Sequence, residues 1–418
     1  MKIKNIILMS AIAASLVTLS SCNSDDNIEF FSTGININAP VTINGKTFNW
    51  KEGNIVFKEI NTNVETIIEL PLTTQPQLQA GQYNVSLEGS IEYNTDGFDE
   101  DGNPTILTSI SNVRGSKENI TVNSNGVSID IDLMIYNNES SFIFEEIFIT
   151  GSLNAAGTSG ILGDKYFKIY NNSNSIQYAD GLSLLESVIT TVDNFTYSPD
   201  FRQEGMGTQV IYTIPGNGKD YPVNPGESLI IADQASNHSI DNTNALDMSN
   251  ADFEWYDYTD KGTDTDNPEI TNLDRWYSYS ASIWTPSNQG NRAYGIARIP
   301  VDKETFLKTD GDYYHTDWSY VNSGKVLYKK GYLIKNEWIL DAVNIAPSTT
   351  FNKLAVSVAI DKSYVSISSI GSDATRFGKS IQRKISGKMK DENGNTYTVL
   401  LDTDDSANDF NVTTASLK

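Results

Sequence analysis

One cysteine, Cys22, and two histidines, His238 and His315, are the chain's entire stock of thiol and imidazole among 418 residues. A lone thiol closes no intrachain disulfide and builds no Cys-ligated zinc site. Two imidazoles are too few for a histidine metal cage. Basic residues are also in deficit, 30 Lys and Arg against 53 Asp and Glu, for a net charge of −23. A body this acidic is repelled by phosphate backbones and anionic lipid surfaces, which excludes nucleic acid as a partner. Beyond the N-terminal segment no apolar run is long enough for a spanning helix. No internal repeat stands out, and there is no long low-complexity linker. Phosphate-loop and nucleophile-elbow patterns are missing too: "GSLNAAGTSGILGDK" is Gly-rich without a Lys-Ser/Thr ending, and no Gly-x-Ser-x-Gly accompanies His315 and Asp317.

What is present begins with a secretory signal. Lys2 and Lys4 form a basic start, and Ile6 to Leu19 an apolar run broken only by small or polar residues. Leu19-Ser20-Ser21-Cys22 resembles the bacterial lipobox. That resemblance implies cleavage before Cys22 and acylation of its sulfur and amine by palmitate-like chains. Several such chains hold a protein stably, at about 0.8 kcal/mol per buried methylene. Loss of Lys2 and Lys4 takes the net charge from −23 to −25, so attachment falls to the lipid. Ser24-Asp25-Asp26 resembles the acidic tag of Bacteroidetes-type lipoproteins displayed on the outer face of the outer membrane.

The body is rich in Thr, Ser, Asn, Tyr and Ile, which favours strands. "GININAPVTINGKTFNW" reads as short strands around Ala39-Pro40 and an Asn44-Gly45 hairpin turn. In "GVSIDIDLMIY", Val127, Ile129, Ile131 and Leu133 alternate with Ser128, Asp130 and Asp132, as expected of a strand with one buried face. The reading is all-β: a tether over 22–34 behind a signal at 1–21, an immunoglobulin-like β-sandwich over 35–140, and a second sandwich over 141–418. Asn224-Pro225-Gly226-Glu227 suits a type II turn feeding the apolar strand Leu229 to Ala232. A short helix is expected after Asp302, ending by Gly311.

The second block carries a resemblance. "EIFI", "KYFKIYNNSNSIQYADGLSL" and "NPGESLIIADQA" follow one another as in the lamin-tail domain, an immunoglobulin-like sandwich, here with long insertions. The chain also resembles a Bacteroidetes-type surface lipoprotein family of unknown function that joins an immunoglobulin-like module to such a domain. "ALDMSNADFEWYD", "NEWILDAV", "QRKISG" and "LLDTDDSANDF" look like its segments. The resemblance implies a fold and an address, and no catalytic residues.

Aromatics concentrate in 251–298. "RWYSYSASIW" alternates as a strand, with Tyr277, Tyr279, Ala281 and Ile283 on one face and Trp276 and Trp284 on the serine face. Two tryptophans on a wet face, with Trp255 nearby, are candidate anchors of an interaction surface; the competing reading is core packing. Asp264 with Asp266, and Asp402 with Asp404, have a spacing that suits calcium, although neither completes an EF-hand loop and turns use the same residues. Asp405-Ser406-Ala407 resembles a bacterial O-glycosylation site. The expected function is that of a non-catalytic surface lipoprotein, an accessory or binding subunit docked to an outer-membrane β-barrel or transporter. A glycan-binding or adhesive module is the alternative, followed by a hydrolase.

Overall fold

The computed structural model describes residues 33–417 except 44–45, 73–76, 99–103, 124–126, 132, 137–141, 358, 362, 403 and 405. Cys22, the acidic tag and the Asn44-Gly45 turn lie outside the described residues.

The chain is all-β. In the N-terminal part, a sheet runs in the order Thr42–Ile43, Lys46–Glu59, Gly81–Phe98, Pro104–Val122, Leu133–Tyr136, with Glu65–Leu70 added beside Lys46–Glu59. It faces a smaller sheet of Gln77–Leu78, Thr33–Asn38 and Val127–Asp130. Ile35, Ile37 and Ile129 from the small sheet meet Ile55, Phe57, Val85 and Leu87 from the large one. Alternation thus places one face of each sheet in a shared core. The expected strand 127–136 is divided: it stops at Asp130, paired in parallel with Thr33–Asn38, and resumes at Leu133 in the larger sheet. Ile129 and Ile131 are buried as their spacing requires, but periodicity reports which face is dry and not which neighbour supplies the dryness.

The C-terminal part packs a seven-stranded sheet on an eight-stranded one. Tyr166–Asn171, Phe142–Phe148 and Lys379–Arg383 lie centrally in the first; Gly205–Thr213, Leu182–Thr190 and Arg292–Arg298 in the second. The core between them holds Phe144, Phe167, Leu184, Tyr212 and Tyr294. Leu185, Ile211 and Ile334 face a second core on the opposite side, with Phe201, Phe306 and Trp318. This strand is buried on both faces, so Ser183, Glu186 and Ser187 of "LSLLESVI" are buried along with its apolar residues.

Local signals hold at named positions. Gly226 sits at φ +80, and the Glu227 N–H donates to the Asn224 carbonyl at 3.0 Å. Asp302 caps Lys303–Phe306 by accepting from the Thr305 N–H at 2.9 Å. The helix is a single turn, closed at Leu307, before the expected Gly311. A long hairpin, Tyr314–Asn322 with Lys325–Lys335, turns at Ser323 and Gly324, both at positive φ.

Candidate functional site

The floor of the candidate site is the outer face of the larger N-terminal sheet. Ile55, Phe57, Val85 and Leu87 point into the core, so Asn54, Val56, Lys58, Ser86 and Glu88 point out. With Glu65, Ile67 and Glu69 of the neighbouring strand they line a groove of about 860 Å³. Ala359 and Ser363 of the C-terminal part form its wall. Lys58 and Glu65 pair at 3.3 Å with both side chains about half exposed, a contact of little energetic weight. Ile67 is 62% exposed.

A second groove of about 610 Å³ adjoins the first, since Asn84 and Ser363 line both. It lies where the two parts of the chain meet. Arg202 braces that joint. Its guanidinium donates to Asp200 through Nε at 2.9 Å and Nη2 at 2.7 Å, to Glu118 Oε2 at 3.3 Å and to the Leu354 carbonyl at 3.0 Å. Glu118 belongs to the N-terminal sheet, so one side chain ties both parts. Burial would raise the Asp200 carboxyl, but the bonds and charge of Arg202 hold it below its ordinary value. The Ser116 and Ser357 hydroxyls, 3.2 Å apart and buried, add a second tie. Phe351 and Tyr364 stack on the rim at 3.9 Å and 17°. The Lys353 ammonium lies 5.2 Å from the Tyr197 ring centre. The arrangement offers amide, hydroxyl and carboxylate groups on a rigid floor, with a ring pair at one end.

The candidate tryptophan surface is not formed, and the core-packing reading holds for Trp255 and Trp284. Trp255 and Trp284 are 0% exposed. Trp284 stacks on Tyr212 at 5.3 Å and meets Trp255 at 5.2 Å, which in turn meets Phe167 at 5.7 Å. The correction has a local cause. The strand ends at Ser278. Arg275 then donates to the Ser280 carbonyl at 2.7 Å, and the Ser280 hydroxyl to the Ile283 carbonyl at 2.9 Å. This turn carries Trp284 inward, where its backbone N–H donates to Asp257 Oδ2 at 2.6 Å. Trp276 is half-buried against Phe306, 5.8 Å away.

The acidic pairs have other partners. Asp264 is buried and accepts from Gln234 at 3.0 Å and the Thr265 N–H at 2.8 Å; Asp266 accepts from Asn272 at 2.9 Å. Asp402 pairs with Arg383 at 3.0 Å, which places a cation beside it already. Asp404 occupies a left-handed turn at φ +53. Among the described residues no three His, Cys, Asp or Glu are grouped to hold a metal ion. His315 stacks on Trp318 and lies 3.6 Å from Asp317. His238 contacts the Gln234 carbonyl at 3.1 Å.

Ser406 is buried, and its hydroxyl donates to Asp361 at 2.6 Å. A glycan has no room there, which corrects the glycosylation reading. Asp361 also accepts from the Asn344 N–H and side chain at 2.8 and 2.9 Å and from the Ser406 N–H at 2.9 Å. Burial pushes its carboxyl from 3.8 up to about 7, against these donors. The folded carboxyl therefore binds its proton at higher pH than the unfolded one. Its contribution to stability is full below about pH 4 and is lost as pH rises through 7, by about 4 kcal/mol. Urea unfolding at pH 5 and pH 8 should show a smaller pH dependence in Asp361→Asn than in the wild type. Equal dependence in both would remove Asp361 as its source.

Sequence reasoning missed both grooves and the buried cluster of Asp164, Lys165, Glu186 and Asp233, all at most 2% exposed. None of these four lines the grooves described above.

Residues 224–416 match the family model described as "Protein of unknown function (DUF4876)", slightly less than half of the chain. The crystal structure of a DUF4876 family protein from Bacteroides thetaiotaomicron VPI-5482 resembles the whole fold. It has a TM-score of 0.52 and 23% identity, covering 91% of this chain and 94% of that one. No curated protein matches the chain. Both likenesses are to one family of unknown function, and at that identity the structural one shows the fold alone.

Proposed function

We propose that this protein is a non-catalytic lipoprotein of the outer-membrane surface, held by an acylated Cys22 and acting as an accessory or binding subunit of a β-barrel or transporter complex. The observation that carries this reading is the pair of adjoining grooves along the N-terminal sheet and the Arg202 joint. A braced, open, polar surface suits holding a ligand or partner, while the strongly buried carboxylates are packed inside the sandwich. The N-terminal module is read as immunoglobulin-like and the C-terminal one as lamin-tail-like; rigid sheets of this kind present loops and faces. Fold alone does not settle function, so the address and the groove carry the reading together. A glycan-binding module is the second reading, favoured by the Phe351–Tyr364 ring pair at the groove's end.

Purification from gently solubilised outer membranes tests the first reading. The wild type is expected to bring a β-barrel protein with it, and protease added to intact cells to digest it. Cys22→Ala is expected in the soluble fraction, since no acyl chain remains. Recovery of the wild type alone, with turnover of a glycan or peptide, would restore the hydrolase.

A further inference from the structure

The chain's acidity is unevenly spread. Residues 319–335 hold Lys325, Lys329, Lys330 and Lys335 and no acid, in a chain with 53 acids. They form the hairpin except its first five residues, where Asp317 is exposed, and every residue from Val321 to Tyr328 is exposed. Pairing with the Gly205–Thr213 strand covers only Tyr332 to Lys335, and pairing with Tyr197–Ser198 only Ser319 and Tyr320, so the tip from Val321 to Val326 extends past the sheet. The register Val321↔Val326 and Ser319↔Tyr328 puts Val321, Val326 and Tyr328 on one face, 61%, 56% and 64% exposed. Lysines alone would be read as a guard against edge-to-edge strand pairing. They do not account for an apolar face left in water at the same tip.

We infer that this hairpin tip is a membrane-contact site for an anionic lipid surface. Val321, Val326 and Tyr328 enter the interface, and Lys325 and Lys330 meet the headgroups. Valine with tyrosine above lysine is the chemistry of interfacial insertion, where apolar burial and attraction to anionic lipid act together. Charge complementarity selects lipid of that sign. The body's net charge argues against such contact only at short range. Past Tyr320, which pairs with Tyr197 of the body, the tip reaches about 10 Å further, slightly more than the screening length of about 8 Å at physiological salt. The tip can therefore touch a surface that the body avoids. This contact is independent of the acyl anchor.

The test labels the tip in the full Cys22→Ala chain, whose sole thiol is then Ser323→Cys carrying an environment-sensitive fluorophore. With phosphatidylcholine vesicles containing one third phosphatidylglycerol, emission is expected to shift to the blue, and salt to reverse it. Pure phosphatidylcholine should leave it unchanged. Lys325→Glu with Lys330→Glu should weaken the response at least thirtyfold at low salt, and Val326→Asp should abolish the shift. Two results would overturn the inference: a response to anionic vesicles that these variants keep, or no response to vesicles but shielding by solubilised outer-membrane protein. The second would make the hairpin a protein-docking element.

Discussion

Trp284→Ala is expected to lower the stability of the fold by about 3–5 kcal/mol, the range for truncating a large buried aromatic. Three features place it there. The side chain is 0% exposed. Its ring is stacked on Tyr212 and packed on Trp255. Its backbone N–H serves Asp257, which also accepts from the Tyr212 hydroxyl at 2.7 Å and pairs with Arg275 at 3.1 Å. Removing the ring leaves a void in a core that cannot collapse between two hydrogen-bonded sheets. Trp276→Ala should cost less, because that ring is half-buried against Phe306 alone among the aromatics it meets. Urea unfolding of the two variants checks the order. A Trp284→Ala protein within about 1 kcal/mol of wild type, but deficient in partner recovery, would return the tryptophan to the surface.

That reversal shows what was legible in the sequence and what was not. Two-residue alternation correctly located Ile129, Ile131, Ser128 and Asp130 on their faces, because it depends only on the strand's own geometry. The turn at Asn224 to Glu227 and the Asp302 cap were legible for the same reason: each is closed by bonds within four residues. The alternation of "RWYSYSASIW" was equally regular on paper. It failed because Ser280 made local bonds that ended the strand, and serine side chains compete with the sheet in this way. The grooves lay out of reach altogether. Their floor comes from residues before 123 and their walls from residues after 350, joined in the second groove by 196–202. Asn84 and Ser363 become neighbours only where the two parts meet, at the Arg202 and Ser116–Ser357 ties, and no spacing encodes that. The hairpin tip was partly legible, since its lysines and lack of acids stand in the sequence, but net charge hid a local sign.

Arg383 gives the other large expected effect. Its side chain is 1% exposed and pairs with Asp341 at 2.5 Å, Asp402 at 3.0 Å and Asp409 at 3.5 Å. It also donates to the Phe144 and Leu401 carbonyls at 2.8 and 3.1 Å and lies 4.5 Å from the Phe410 ring centre. Asp341 belongs to the eight-stranded sheet, Arg383 and Phe410 to the seven-stranded one, so the guanidinium ties the sheets and the last strand together. Burial would lower the guanidinium's affinity for its proton, but the carboxylates, Asp341 foremost, hold it up. Arg383→Met takes away their shared counter-charge, which for buried groups costs about 3–5 kcal/mol. Arg383→Lys should recover little, since an ammonium cannot reach three carboxylates and two carbonyls from one planar fork. The deficit should depend on pH with a definite sign. Asp341 is already raised to about 6 by burial, beside its cation. Without that cation it binds a proton more readily still, and a neutral carboxyl needs no counter-charge. Arg383→Met should therefore lose less stability at pH 5 than at pH 8, and Arg383→Met with Asp341→Asn should recover part of the loss at pH 8. A deficit that is the same at both pH values, and unchanged in the double variant, would assign the effect to lost packing on Phe410 and not to buried charge.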